Sequence, residues 1–170
     1  MKSLVDHLAQ YAAYHRDRRN VATHFVGIPL IVVAVEGLLS RSSLAVSGVS
    51  VSPALVASIA AAAFYVALDR RYGLAMAGVL GAALAGGARL AAGSTASWLA
   101  LSIGLFVVGW AFQFVGHFFE GRKPAFVDDL VGLIIGPLFV VAEAGFALGL
   151  RDEVREAIER RSGSGAARYA

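Results

Sequence analysis

Five apolar runs, at residues 21–39, 53–68, 72–88, 97–119 and 130–150, constrain this chain more than any other feature. A helix needs about 20 apolar residues to cross the hydrocarbon core of a bilayer. Each run approaches that length, and in lipid only helices and closed barrels satisfy their own backbone polar groups. The pattern predicts an all-α, polytopic membrane bundle of about five spans. Composition agrees. Of the 170 residues, 58% are hydrophobic and 16% are charged, against about 45–50% and about 25% in soluble domains. Disorder is excluded by the same values. The chain has no cysteine, which removes disulfides, thiolate metal sites and cysteine nucleophiles from consideration.

The basic residues orient the bundle. Lys2, Arg16, Arg18 and Arg19 precede the first run, Arg70 and Arg71 lie between the second and third, and Arg122 and Lys123 follow the fourth. The intervening loops carry only Arg41 and Arg89. Basic and basic-poor segments alternate, so the N-terminus and residues 120–129 are expected on the cytoplasmic side. The net charge of +3 is read as this bias and not as nucleic-acid binding. With Arg16, Arg18 and Arg19 ahead of the first run, and no small-residue cleavage site after it, no signal peptide is expected. The second and third runs are short and rich in Ala and Gly, as suits a hairpin turning at Asp69-Arg70-Arg71. Residues 41–52 read as a Ser/Gly/Val loop. Residues 1–150 form one membrane-embedded catalytic domain in this reading, and 151–170 a charged helix fading into a disordered tail. Five full spans would leave Arg151, Arg155, Arg160 and Arg161 outside. The alternative is that Gly136-Pro137 splits the last run into a re-entrant pair. Thirteen arginines against two lysines, with abundant Ala and Gly, point to a GC-rich bacterial genome and a bacterial cytoplasmic membrane. Nothing in the residues signals an oligomeric state.

Two polar patches carry the chemistry. The first, at 14–24, reads YHRDRRNVATH and is followed by Gly27-Ile28-Pro29. Leu4, Leu8, Tyr11 and His15 recur at helical spacing, which places His15 on the apolar face of an interfacial helix. Asn20 is the expected N-cap of the first span. On one straight helix His15 and His24 would face opposite ways, so a break near Asn20 is needed to turn both toward one point. In the second patch, at 113–129, Gln113, His117 and Glu120 share one helix face at i, i+4 and i+7. Glu120 can reach a metal held by His117 or can orient its imidazole. Gly116 permits close backbone approach, and Asp128-Asp129 suit a helix N-terminus. Taken singly, each patch is also explained by ordinary polarity at helix ends, with Glu120 paired to Arg122 or Lys123. Together they converge. Four spans return His117 to the side of His15 and His24, and imidazoles buried in lipid need a partner such as a shared metal. His7 lacks such support and is expected at the surface. Glu36 and Glu143 are acids within the apolar runs; Glu36 reads as structural, and Glu143 shares a helix face with Gly136.

These residues also form a familiar pattern. The run YH-x4-N-x3-H-x2-GIP at 14–29 and the block QF-x-GH-x2-FEGRKPA-x2-DD at 113–129, followed by GP-x-FV-x2-E at 136–143, resemble the DUF962 family, whose Mpo1-like members include 2-hydroxy fatty acid dioxygenases. The resemblance covers about residues 8–150. It implies an Fe(II)-dependent membrane enzyme that uses O2 to shorten a long-chain 2-hydroxy fatty acid by one carbon, an α-oxidation. By the same resemblance His15, His24 and His117 hold the metal. Glu120 is then a ligand or a group behind the ligands, with Tyr14, Asn20, Gln113, Asp128 and Glu143 in support. An octahedral ion on three imidazoles keeps three positions, enough for the carboxylate and hydroxyl of a 2-hydroxy acid and for O2. Arg122 and Lys123 are placed to meet the substrate carboxylate. Eukaryotic members carry a second histidine directly after the first, where this chain has Arg16. That position is not an obligatory ligand, or the activity here differs. Two other readings of the residues stay open: a zinc-dependent membrane hydrolase with Glu120 as base, and a non-enzymatic transporter or scaffold using Glu36 and Glu143.

Overall fold

A computed structural model describes residues 2–122 and 130–162. Lys123, Asp128 and the tail beyond residue 162 lie outside the described residues. Seven helices and one β-hairpin follow in order: α1 (Leu4–Ala13), α2 (Arg18–Ser40), β1 (Leu44–Val46), β2 (Val49–Val51), α3 (Pro53–Leu68), α4 (Arg70–Ala91), α5 (Thr95–Glu120), α6 (Val131–Ala147) and α7 (Asp152–Ser162). The expected all-α bundle is what forms. Helices α2, α4 and α5 are long and apolar enough to cross a membrane, while α3 is equally apolar but only 16 residues long. The described residues divide into two compact units, Met1–Ile28 with Ala111–Ala170, and Pro29–Trp110.

In the first unit, α1 starts at a capping box. The Ser3 hydroxyl accepts from the Asp6 amide and the Asp6 carboxylate from the Ser3 amide, which satisfies two of the unpaired donors at a helix start. Its apolar face, Leu4, Leu8, Ala9, Tyr11 and Ala12, is buried as α1 packs against α6 and α7. Helix α6 runs through Pro137 without ending. Of the two alternatives for the last run, a split at Gly136-Pro137 does not occur. Proline removes one backbone donor, whereas opening the helix in an apolar phase would strand several groups. The chain turns instead at Gly149, whose φ of 70° needs no Cβ. There the Leu150 amide donates to Gly145 O at 2.9 Å and the Gly149 amide to Phe146 O at 3.0 Å, a pattern that caps helix ends with glycine. Helix α7 leaves at 119° to α6. It buries Val154 and Ile158, pairs Arg161 with Asp6, and receives Arg16 Nη2 on Ser162 O at 3.1 Å. The charged C-terminal helix thus lies against the N-terminal one.

In the second unit, α3 and α4 form the hairpin expected at Asp69. The Asp69 carboxylate accepts from the Arg71 and Tyr72 amides at 2.9 Å and so caps α4. A Cβ on Gly73 would sit 2.6 Å from Val66 Cγ2, so only glycine permits this approach. Gly87 plays the same part toward α2: its Cβ would lie 2.6 Å from the Glu36 carbonyl carbon and the Gly37 nitrogen. Glu36 is buried and accepts from Ser58 Oγ at 2.7 Å, a structural contact as expected. The segment read as a loop at 41–52 contains a hairpin, with Leu44 opposite Val51. Ser47 and Gly48, both at positive φ, provide the tight turn that two-residue hairpins use.

Candidate metal centre

Three buried histidines meet inside the first unit. His15 and His24 are 0% and 1% exposed, and His117 is 6% exposed. Their ring centroids form a near-equilateral triangle, 4.5 Å for His15–His24, 5.0 Å for His15–His117 and 5.2 Å for His24–His117. One ring nitrogen from each lies within 4.8 Å of the others. The break that allows this falls at Arg16–Asp17, before the position the sequence indicated. His15 sits just past the end of α1, its amide on Ala12 O. Asp17 accepts the Arg19 amide at 2.8 Å and starts α2, which leaves Asn20 in the first turn and not at the N-cap.

Hydrogen bonds fix the tautomers. His15 Nδ1 is 2.7 Å from Tyr11 O and His24 Nδ1 is 2.8 Å from Asn20 O. A carbonyl only accepts, so both Nδ1 atoms carry the proton and both Nε2 atoms of the neutral rings present lone pairs. Those two Nε2 atoms face each other at 3.0 Å. Opposed lone pairs at that distance call for a cation between or beside them, a shared proton or a metal ion. Ligands at about 2.1 Å from one ion and at right angles would be about 3.0 Å apart, so the pair fits an ion. His117 Nδ1 is buried with no hydrogen-bond partner. The carbonyls behind the His15 and His24 rings are the usual device for aiming a metal-ligating imidazole.

Aromatic rings wall this cluster. Tyr11 stacks flat on His15, centroids 4.1 Å apart and planes 3° apart, and Phe139 of α6 lies 4.8 Å from Tyr11 and 5.7 Å from His15. Burial pushes the Tyr11 phenol up from its ordinary pKa, so it stays neutral. Gly136 leaves the space for it: a Cβ there would meet the Tyr11 hydroxyl at 3.0 Å and Ile28 Cδ1 at 3.2 Å. In the sequence Tyr11 reads only as part of an apolar stripe. Its spacing, one turn before His15, was the available signal.

The other expected residues are placed as follows. Glu120 ends α5 one turn past His117. Its carboxylate accepts from the Arg16 amide at 2.9 Å through both oxygens, the Asp17 amide at 2.9 Å and Asn20 Nδ2 at 3.0 Å. Gln113 is buried on the His117 face and its Nε2 has no hydrogen-bond partner. Arg122 donates to Ala13 O at 3.3 Å, beside the turn that carries His15. Tyr14 caps the C-terminus of α1 and lines a cleft with His7, Gln10 and Tyr11. Glu143 is buried and lines a groove with Arg18, Val21, Phe25, Phe146 and Arg155.

The Mpo1-like family, described as 2-hydroxy-palmitic acid dioxygenase Mpo1-like, matches residues 1–148. The chain belongs to the Mpo1-like family. It is 34% identical over 154 residues to the 2-hydroxy-palmitic acid dioxygenase MPO1 of Saccharomyces cerevisiae, an alignment covering 89% of this chain and 85% of the yeast protein. No solved structure matches the chain. The matched segment of this Mpo1-like chain contains all three clustered histidines together with Glu120. The family name bears out the expected 2-hydroxy fatty acid dioxygenase class.

Proposed function

We propose that this chain is an iron(II)-dependent membrane dioxygenase that shortens long-chain 2-hydroxy fatty acids by one carbon. The observation that carries the reading is the facing His15 and His24 Nε2 pair beside His117, in a chain of the Mpo1-like family. His15, His24 and His117 would hold the metal, and imidazole ligands suit iron(II). The bound iron would supply the activation of O2. The protein's own contribution is placement and exclusion of water. Tyr11 O and Asn20 O lock two ring orientations, and Tyr11 with Phe139 closes one side of His15. Arg122, with Lys123 next to it in the chain, meets the substrate carboxylate, and the unpartnered Gln113 Nε2 is a donor on the His117 face. The metal site and the N-terminus face the cytoplasm of a bacterial cell in this reading, as the Lys/Arg alternation favours.

The overall balance needs no external reductant. RCH(OH)COOH and O2 give RCOOH, CO2 and H2O; the C1–C2 bond breaks, and the four electrons that reduce O2 come from the substrate. The test is aerobic incubation of iron(II)-reconstituted protein with carboxyl-13C-labelled 2-hydroxypalmitate. Pentadecanoate and labelled CO2 are the expected products, in equal amounts. Turnover by zinc-loaded protein, or no shortened acid with iron bound, would overturn the assignment.

A further inference from the structure

Glu120 joins three elements that each carry a histidine. It is the last residue of α5, three positions after His117. Its carboxylate holds the amides of Arg16 and Asp17, the residues directly after His15, and the side chain of Asn20. Asn20 in turn is fully buried, and its backbone carbonyl holds His24 Nδ1 at 2.8 Å. Three donors converge on Oε2, with the Arg16 amide shared by Oε1, and Glu120 is not among the side chains that group as potential metal ligands. The α5 backbone closes on the same place at Gly116, where a Cβ would collide with Thr23 Oγ1 and Asn20 Oδ1.

We propose that Glu120 is a positioning residue that sets the mutual placement of His15, His24 and His117 by clamping the Arg16–Asp17 turn and Asn20 onto the end of α5, and is neither a metal ligand nor a catalytic base. This rests on the three-histidine reading. Its chemistry explains why a carboxylate stands here. Two backbone donors and one amide NH2 converge on Oε2, and the Arg16 amide also reaches Oε1, so a charged group that only accepts suits the place. A glutamine with its oxygen in the Oε2 place would set its NH2 against the Arg16 amide and would lose the charge that strengthens the other two contacts.

The test uses the full chain in detergent, stripped of metal and titrated with Co(II), read by visible absorption and by competition with a chelator. Hydrogen exchange at the Arg16 and Asp17 amides is followed in the metal-free protein. Glu120→Gln is expected to weaken Co(II) affinity about 10–100-fold, to shift the Co(II) spectrum, and to speed exchange at both amides. Gly116→Ala keeps every hydrogen-bonding group but displaces Asn20, and is expected to shift the spectrum in the same direction with a smaller loss of affinity. This second variant decides the matter if Glu120→Gln does not fold. Wild-type affinity and spectrum in Glu120→Gln, or in Gly116→Ala where the first fails to fold, would overturn the proposal. Complete loss of Co(II) from folded Glu120→Gln would overturn it too, because Glu120 would then be a ligand. His24→Ala separates the two readings. If it binds Co(II) as the wild type does, the three-histidine site fails and this inference with it. If it loses Co(II) while Glu120→Gln binds it with wild-type affinity and spectrum, only the clamp fails.

Discussion

Glu120 and Glu36 are both carboxylates set among apolar helices, and the two compact units treat them in opposite ways. Glu120 has four hydrogen bonds from three donors. Glu36 has one, from Ser58, and its other oxygen is buried without a partner. In the first unit polar groups hold irregular backbone, and the amides of the turn at Arg16–Asp17 end on a carboxylate. In the second unit, close helix packing at Gly73 and Gly87 does that work, and the carboxylate rides on it. Small residues let helices approach within lipid, where no hydrophobic force drives them together. A carboxylate with several donors therefore marks where side-chain position matters, and a half-satisfied one where backbone approach matters.

Substitutions can break that contrast, beginning with the largest effect. His24→Ala should lower metal affinity by more than about 100-fold, beyond the range of changes behind the ligands, while Glu36→Gln leaves bound metal within about twofold. Metal analysis of the two purified variants checks this, and loss of metal from Glu36→Gln would erase the distinction between the units. Gly87→Ala should destabilise the fold by about 1–3 kcal/mol through overpacking, seen as a lower midpoint in denaturant, with metal content unchanged. Ser58→Ala removes one hydrogen bond within the apolar bundle and should cost about 0.6 kcal/mol. A larger loss in the same unfolding assay would mean that Glu36 organises its unit after all. Arg161→Ala removes an exposed ion pair to Asp6, and its effect on thermal unfolding should vanish in high salt.

The sequence brought the three histidines together by counting spans, since parity of crossing depends only on apolar length and charge. It also located the Asp69 hairpin, where a capping residue sits between two Ala/Gly-rich runs. It misplaced what depends on partners distant in the chain. The Glu120 clamp joins residues 104 positions apart, and no local spacing encodes it. Asn20 was assigned as a cap because its residue type is right. Asp17, three positions earlier, takes the helix start because its carboxylate reaches the Arg19 amide. Gly136-Pro137 looked like a break because proline stops helices in water. Here the glycine makes room for Tyr11, and the helix continues through Pro137 to Ala147. The hairpin at 44–51 was hidden because two three-residue strands leave almost no periodicity to read.

The histidine cluster also has a birth order. His15 and His24 leave the ribosome together, but His117 and Glu120 follow only after about 93 more residues, roughly 5–20 s later at ordinary rates of synthesis. Helix α7, which grips Arg16 through Ser162 O, comes last. During that interval the first two imidazoles face one another, or open lipid, without the residues that hold their turn. Any metal captured then would be held by two ligands at most. The cluster is complete only once His117 has been made and α5 inserted, so on the three-histidine reading metal loading would follow membrane insertion.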